Sequence, residues 1–123
     1  GKSRFSSLCP TIVFRNDEPF IVIGAPGGTQ IAMGVLQVLL NLIDFDMPMT
    51  DAVIAPRFSG TSTPIDVSNR IPRFVTRELE AMNYEIIRWA QSYAFGWVHG
   101  IRIDDGVWSG GADPATDGMA LAI

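Results

Sequence analysis

FIVIGAPGGTQIAMGVLQVLLNLI, residues 20–43, joins a short apolar run to a long apolar segment through a loop rich in glycine. Residues 20–23 are apolar at every position, which is typical of a strand that is covered on both faces. Residues 29–43 carry apolar side chains almost all round the helix they predict, so this helix should also be buried. The stretch therefore predicts a layered fold with one strand and one helix in its interior.

The segments around this stretch predict a mostly antiparallel sheet with further helices. Turn clusters at residues 16–19 and 104–106 favour hairpins between the strands on either side of them. The further strands are predicted at residues 11–15, 84–89, 98–103, 107–109 and 119–123. The further helices are predicted at residues 51–55, with Thr50 as a cap, and from Pro72 to Asn83. The result is an α+β fold in which residues 1–123 form a single domain.

Composition excludes several classes of function. The chain has 9 basic and 13 acidic residues and a net charge of −4, and the scattered basic residues argue against nucleic-acid binding. The longest apolar stretch, residues 31–43, is too short to span a bilayer. One cysteine, Cys9, and one histidine, His99, exclude an internal disulfide and leave no metal-ligand spacing. No Ser-His-Asp arrangement can be argued, and a hydrophobic fraction of 47% favours an interface with a missing partner.

Two short segments have residue types that could carry chemistry. The pair Gly27 and Gly28 lets backbone N–H groups face a ligand, and the following helix N-terminus adds partial positive charge. Phosphate binding and oxyanion stabilisation both use such a loop, but the lysine of a phosphate-binding loop is missing. A tight strand-to-helix turn explains the glycines equally well. Ser6 and Ser7 could bind a carboxylate or an oxyanion, whereas serines in loops are more often simply solvated.

Five segments carry a resemblance to a known family. RFSSLCPTIV (residues 4–13) and GAPGGT (residues 24–29) resemble the SSMSPTIV and GSPGGS segments of gamma-glutamyltransferases, also called gamma-glutamyltranspeptidases. VLQVLLN (residues 35–41) continues as the family helix does, and DAVIAPR (residues 51–57) is similar to EAVDAPR. GGADP (residues 110–114) matches the tail of the family. Order and spacing agree along the whole chain.

The resemblance implies an N-terminal-nucleophile hydrolase with a four-layer αββα sandwich. In this family one precursor cuts itself into two subunits, and the new N-terminal Thr of the small subunit attacks gamma-glutamyl substrates such as glutathione. This chain would be the C-terminal part of the small subunit. By position, Ser6 and Ser7 would bind the alpha-carboxylate of the substrate, and the amides of Gly27 and Gly28 would form the oxyanion hole.

The resemblance also implies partners and alternatives. The partners would be the large subunit and the N-terminal part of the small subunit, with self-association into an oligomer left open, and neither a metal nor a cofactor is expected. No threonine here stands in the nucleophile context, so the chain alone should be inactive. Leu8, Cys9, Trp97 and His99 depart from the family pattern. A cephalosporin or glutaryl acylase, a poly-gamma-glutamate depolymerase and a non-catalytic binding or structural domain therefore remain as alternatives.

Overall fold

A computed structural model of the protein describes residues 1–3 and 5–121. Within them the strands are β1 Thr11–Arg15, β2 Glu18–Gly24, β3 Phe58–Ser59, β4 Ile65–Ser68, β5 Ile86–Trp89, β6 His99–Asp104 and β7 Val107–Ala112. The helices are α1 Ile31–Ile43, α2 Met49–Ile54 and α3 Arg73–Ala81, and a 3-10 turn, Gly28–Gln30, leads into α1. None of these helices is long and apolar enough to cross a membrane.

The larger sheet has the order β1-β2-β6-β7, and all its neighbours are antiparallel. Both of its hairpins turn through two residues with positive φ. These are Asn16 (52°) with Asp17 (65°), and Asp105 (47°) with Gly106 (77°). Two consecutive positive φ values give the turn whose twist matches that of paired strands, and Asn, Asp and Gly adopt it most readily. The two hairpins predicted from the turn clusters are therefore present.

One face of the larger sheet packs on α1 and α2. Ile21 and Ile23 of β2 point into this layer and are 0% and 4% exposed. Burying an aliphatic side chain of this size contributes about 1.5–3 kcal/mol of transfer free energy. The helices contribute Ile31, Val35, Val38, Leu42, Met49, Ala52 and Val53 to the same buried cluster.

The opposite face of the larger sheet is largely apolar and uncovered. Val22 pairs with Ile12 of β1 and with Ile101 of β6, so the three side chains form a row across the sheet. They are 40%, 56% and 39% exposed, respectively. Within the described residues, β2 is therefore covered on one face only, and the cover of its second face stays a prediction. In an αββα sandwich a second sheet lies on this face, which explains an all-apolar strand with one bare side.

Helix α1 also has an uncovered side. Leu36, Leu40 and Ile43 follow one another at helical spacing and are 48%, 41% and 48% exposed. Within the described residues this helix is therefore covered on one side only, and its burial all round stays a prediction. One apolar side of the helix packs into the buried cluster, and the other apolar side is left exposed by the described residues.

The smaller sheet, with the order β3-β4-β5, was not predicted in full. Strand β3 pairs antiparallel with β4, whereas β4 and β5 are parallel and are connected through α3. The sequence of β3 and β4 gives a weak strand signal, because the two short strands flank the loop-forming residues 60–64. The predicted last strand is also wrong as far as it can be followed, since Met119–Leu121 have no regular structure and residues 122 and 123 lie outside the described residues.

Local contacts correct one predicted cap and explain how α2 is tied to the sheet. Helix α2 begins at Met49 with Pro48 as its N-cap. Thr50 lies inside the first turn, and its hydroxyl donates to the carbonyl of Gly110 on β7 at 3.4 Å. Asn83, after α3, has the predicted left-handed conformation with φ of 67°.

Arg102 of β6 fastens the turn between α1 and α2 to the sheet. Its guanidinium donates to Asp104 at 2.7 Å and to Asp46 at 2.9 Å. These hydrogen bonds, the one to Asp104 first, raise the pKa of Arg102 above its usual value. Both carboxylates thus stabilise the charged guanidinium, which ties the turn at Asp46 to β6.

We expect the purified 1–123 chain to self-associate, because the bare sheet face and the α1 stripe leave apolar side chains in water. Contiguous apolar patches beyond roughly a few hundred Å² promote association. Light scattering should show species larger than a monomer, together with binding of a hydrophobic dye. The double variant Leu36→Glu/Leu40→Glu should bind less dye than a control with glutamates at Thr61 and Thr63. A monodisperse wild-type monomer that binds no dye would contradict the expectation.

Candidate functional site

The glycine loop, residues 24–28, connects β2 to the 3-10 turn that leads into α1. Gly27 has φ of 138° and Gly28 has φ of 62°, conformations that residues with a side chain rarely adopt. A Cβ atom built on Gly28 meets nothing within 4 Å, so this residue faces open space. The loop thus places a flexible backbone at the positive end of a 13-residue helix.

Among the described residues, the hydrogen bonds of the glycine loop leave two backbone donors without a partner. Gln30 N donates to the carbonyl of Gly27 at 3.3 Å, and Trp97 N donates to the carbonyl of Pro26 at 3.0 Å. Neither bond uses the N–H of Gly27 or Gly28. Two adjacent amides just before a helix N-terminus, with open space beside the Cα of Gly28, are an arrangement that can bind an anion or a developing oxyanion.

A second segment, Phe95–Trp97, lies directly on the glycine loop, and we call it the strap. A Cβ on Gly27 would lie 2.8 Å from the Cα of Gly96, and a Cβ on Gly34 of α1 would lie 2.6 Å from the carbonyl oxygen of Phe95. Gly96 itself has φ of 78°. These backbones approach so closely that only glycine fits, which fixes the position of the loop against the strap.

Behind the strap lies a buried ion pair between Arg57 and Asp113. Their side chains are 2% and 0% exposed, and Arg57 Nη2 donates to Asp113 Oδ2. Arg57 Nη2 also donates to the carbonyl of Gly96 at 3.0 Å, and Nη1 donates to that of Val53 at 2.6 Å. Both charged residues lie inside family-like segments, DAVIAPR and GGADP, where the sequence pattern gives no indication of their role. Charged side chains this deeply buried are rare unless paired.

Ser6 and Ser7 belong to the segment that leads into β1 at the end of the larger sheet where the glycine loop follows β2. Thr11 at the start of β1 pairs with Ile23 near the end of β2, so the segment before β1 and the loop after β2 share this end. Ser6 is exposed and Ser7 is half-buried. The hydroxyl of Ser6 accepts a hydrogen bond from Leu8 N at 3.3 Å and keeps its own proton available for donation.

His99 also reaches this end of the sheet, where it pairs with Gly24. Its Nε2 atom lies 3.3 Å from the hydroxyl of Thr116, and its ring is so close to Gly118 that a Cβ there would lie 2.8 Å from Nδ1. The histidine is thus packed against the C-terminal segment. Among the described residues, no group of three or more His, Cys, Asp or Glu side chains is placed to hold a metal ion.

Comparison with known proteins identifies the family. The model of the family described as gamma-glutamyltranspeptidase matches residues 1–123. The chain belongs to the gamma-glutamyltranspeptidase family. Its resemblance to that family, predicted from five segments, is confirmed.

Individual relatives extend this result. The chain is 33% identical to the glutathione hydrolase proenzyme of Pseudomonas aeruginosa over 128 residues, which cover all of this chain and 23% of that protein. It is 30% identical to the acylase ACY 1 proenzyme of Pseudomonas sp. strain SE83, covering all of this chain and 22% of that protein. The chain therefore spans less than a quarter of the length of these relatives, both of which are enzymes made as proenzymes.

Solved structures support the fold. The gamma-glutamyltranspeptidase of Pseudomonas nitroreducens, in complex with L-DON, superposes with a TM-score of 0.88 at 30% identity. The match covers all of this chain and 65% of that chain. The predicted α+β fold, as part of a sandwich of the N-terminal-nucleophile type, is confirmed by this similarity. The roles assigned to Ser6, Ser7, Gly27 and Gly28 remain predictions.

Proposed function

We propose that residues 1–123 are the C-terminal domain-sized portion of a gamma-glutamyltranspeptidase small subunit, in an enzyme that transfers or hydrolyses gamma-glutamyl groups of glutathione-like substrates. Family membership and the glutathione hydrolase relative support this proposal. The observation that carries it is the glycine loop, where the N–H groups of two adjacent glycines make no hydrogen bond to another described residue and precede the N-terminus of α1. The chain alone should be inactive, because the nucleophile belongs to the rest of the precursor.

The glycine loop would act when the N-terminal Thr attacks the gamma-carbonyl carbon of the substrate. The hydroxyl proton passes to the amine of the same Thr, and the carbonyl oxygen becomes an oxyanion in the tetrahedral intermediate. The N–H groups of Gly27 and Gly28 would donate to that oxygen. Because the charge develops only as the bond forms, these donors stabilise the transition state more than the bound substrate.

Ser6 and Ser7 would hold the other end of the acyl group. A carboxylate accepts hydrogen bonds well from hydroxyl groups, and the two serines belong to the segment that leads into β1 at the end of the sheet where the glycine loop follows β2. They would recognise the alpha-carboxylate, while the gamma-carbonyl reaches the loop. This arrangement gives the serines a role in binding and specificity, separate from the role of the glycines in the chemical step.

The proposed function is tested with the full-length protein that contains this chain. Incubation with a gamma-glutamyl anilide should release the aniline and leave a Thr-linked gamma-glutamyl adduct that mass spectrometry can detect. Faster turnover of a glutaryl amide, which keeps the carboxylate and lacks the alpha-amino group, would favour the acylase alternative suggested by the ACY 1 relative. No turnover of either substrate by the processed protein would favour the non-catalytic alternative.

Replacing Ser6 and Ser7 together with Ala should raise KM for gamma-glutamyl substrates. Each hydrogen bond to a charged group contributes about 1.5–3 kcal/mol, so the double variant should lose at least about tenfold in kcat/KM. A 4-aminobutyryl anilide, which lacks the alpha-carboxylate, should be turned over equally by variant and wild type. Ser62→Ala, in the exposed loop after β3, is the control. An unchanged preference for the gamma-glutamyl anilide over the 4-aminobutyryl anilide would reject the assigned role.

A further inference from the structure

We propose that Arg57, paired with Asp113, is a positioning residue that holds the glycine loop in its catalytic geometry through the strap. This inference rests on the proposed oxyanion role of Gly27 and Gly28. Arg57 touches neither glycine. It acts on them through a chain of two backbone contacts, each of which is present in the structure.

The first contact joins Arg57 to the strap. Arg57 Nη2 donates to the carbonyl oxygen of Gly96 at 3.0 Å, in a hydrogen bond that excludes water because the arginine side chain is 2% exposed. The same guanidinium binds Asp113 Oδ2, and the other oxygen of that carboxylate accepts from Ala115 N at 2.9 Å. The arginine is therefore fixed from both sides, and its position sets that of Gly96.

The second contact joins the strap to the glycine loop. Trp97 N donates to the carbonyl of Pro26 at 3.0 Å, one residue before Gly27. The Cα of Gly96 lies so close to Gly27 that no side chain fits between them. A shift of the strap must therefore move the loop, because packed backbones cannot slide past one another without opening a gap.

The chemistry of Arg57 suits this task. One planar guanidinium reaches Val53, Gly96 and Asp113 at once, which a lysine ammonium on a flexible stem cannot reproduce. A buried ion pair is a poor device for stability alone, because apolar residues of equal volume often stabilise a fold as well or better. Here the ion pair fixes the position of the Gly96 carbonyl in the strap.

The expected kinetic effect follows from where the loop acts. A small displacement of the two amides weakens the oxyanion contacts and leaves the serine contacts to the carboxylate in place. Misplacement of a catalytic group by about 1 Å can cost about 10²-fold in rate. Loss of the Arg57 contact should therefore lower kcat by up to about 10²-fold with KM nearly unchanged.

The experiment compares Arg57→Lys with Arg88→Lys in the full-length processed protein. Arg88 also donates to backbone carbonyls, those of Ser68, Asn69 and Ile71, and has no hydrogen bond to the strap among the described residues. Two readouts are taken from each variant: kcat and KM for a gamma-glutamyl anilide, and hydrogen exchange of the amides in residues 26–34 and 95–98. Arg57→Lys should lower kcat and speed exchange of the Trp97 amide by about tenfold or more, as expected when a charged hydrogen bond is lost. Arg88→Lys should do neither.

The outcomes separate this inference from the proposed function. Unchanged exchange in residues 95–98 of Arg57→Lys overturns the inference, whatever the activity. Faster exchange with normal kcat shows that the strap is held by Arg57 and that the oxyanion role of the glycines is what fails. If Arg57→Lys does not fold, Asp113→Asn is used instead, because it keeps the arginine and weakens the ion pair that holds it. This variant should show a smaller decrease in kcat and a smaller increase in exchange of the Trp97 amide. Unchanged exchange and kcat in a folded Asp113→Asn protein would then reject the positioning role.

Discussion

Replacing the amide between Gly27 and Gly28 with an ester should lower kcat of the full-length enzyme by about 10²–10³, the usual cost of one lost oxyanion donor. The ester deletes the N–H of Gly28 and is compatible with its φ of 62°, while the carbonyl of Gly27 remains as a weaker acceptor for Gln30 N. KM should change little, because the donor is used only when the tetrahedral intermediate forms. Steady-state kinetics on semisynthetic protein, after isolation of the processed fraction, would measure both constants.

Proline, the genetically encoded way to delete an N–H, is unsuitable at this position. The proline ring holds φ at about −65°, which is far from the positive φ of Gly28. Loss of activity in Gly28→Pro would therefore report distortion of the loop. A matched ester at Gly60, where an added Cβ would also meet nothing within 4 Å, controls for the chemistry of the replacement. If the Gly28 ester retains the kcat of the Gly60 ester, the loop is a structural turn and the oxyanion is bound elsewhere.

Gly27→Ala should be far more damaging than Gly28→Ala. An alanine at residue 27 needs φ of 138° and puts its Cβ 2.8 Å from the Cα of Gly96, so the strap must move. The backbone strain and the overpacking each cost about 1–3 kcal/mol. At residue 28 the added methyl group meets only open space, and the left-handed conformation alone costs about 1–2 kcal/mol.

Denaturant unfolding and activity of the two alanine variants test this comparison. Gly27→Ala should lower the free energy of unfolding more than Gly28→Ala does, and its folded fraction should lose most of kcat because the loop and the strap have separated. Combining Gly27→Ala with Arg57→Lys should cost less than the sum of the two single changes, since both release the same contact. Equal destabilisation by the two alanines would mean that the strap moves away from the loop at little cost in free energy. That result would also count against the positioning role of Arg57.

Structural features that depend only on residues close together in the chain were predictable from the sequence. The two hairpins follow from Asn16-Asp17 and Asp105-Gly106, because these residue types accept positive φ. The glycine loop, the start of α1 and the row of apolar residues on β2 follow from local pattern in the same way. The smaller sheet did not follow, since β3 is two residues long and its pairing with β4 depends on tertiary contacts.

The support behind the site could not be predicted, because it joins residues far apart in the chain. Arg57 reaches Gly96 across 39 residues and Asp113 across 56. Hydropathy patterns and turn residues predict structure among neighbours in the chain, and they do not identify pairs of residues this far apart. The all-apolar character of β2 and α1 predicts that both are covered on every side, but the sequence does not say which molecule or segment provides the cover.

The long reach of Arg57 has a consequence for how this part of the protein folds. Bringing together residues far apart in sequence has an entropic cost of loop closure, which must be overcome before their contact becomes favourable. Such contacts therefore tend to form after local hairpins and helices. We expect the strap to order only once the segments around Val53, Gly96 and Asp113 have met. A chain interrupted before Asp113 would then have its sheet and helices but would lack the ion pair that holds the strap against the glycine loop.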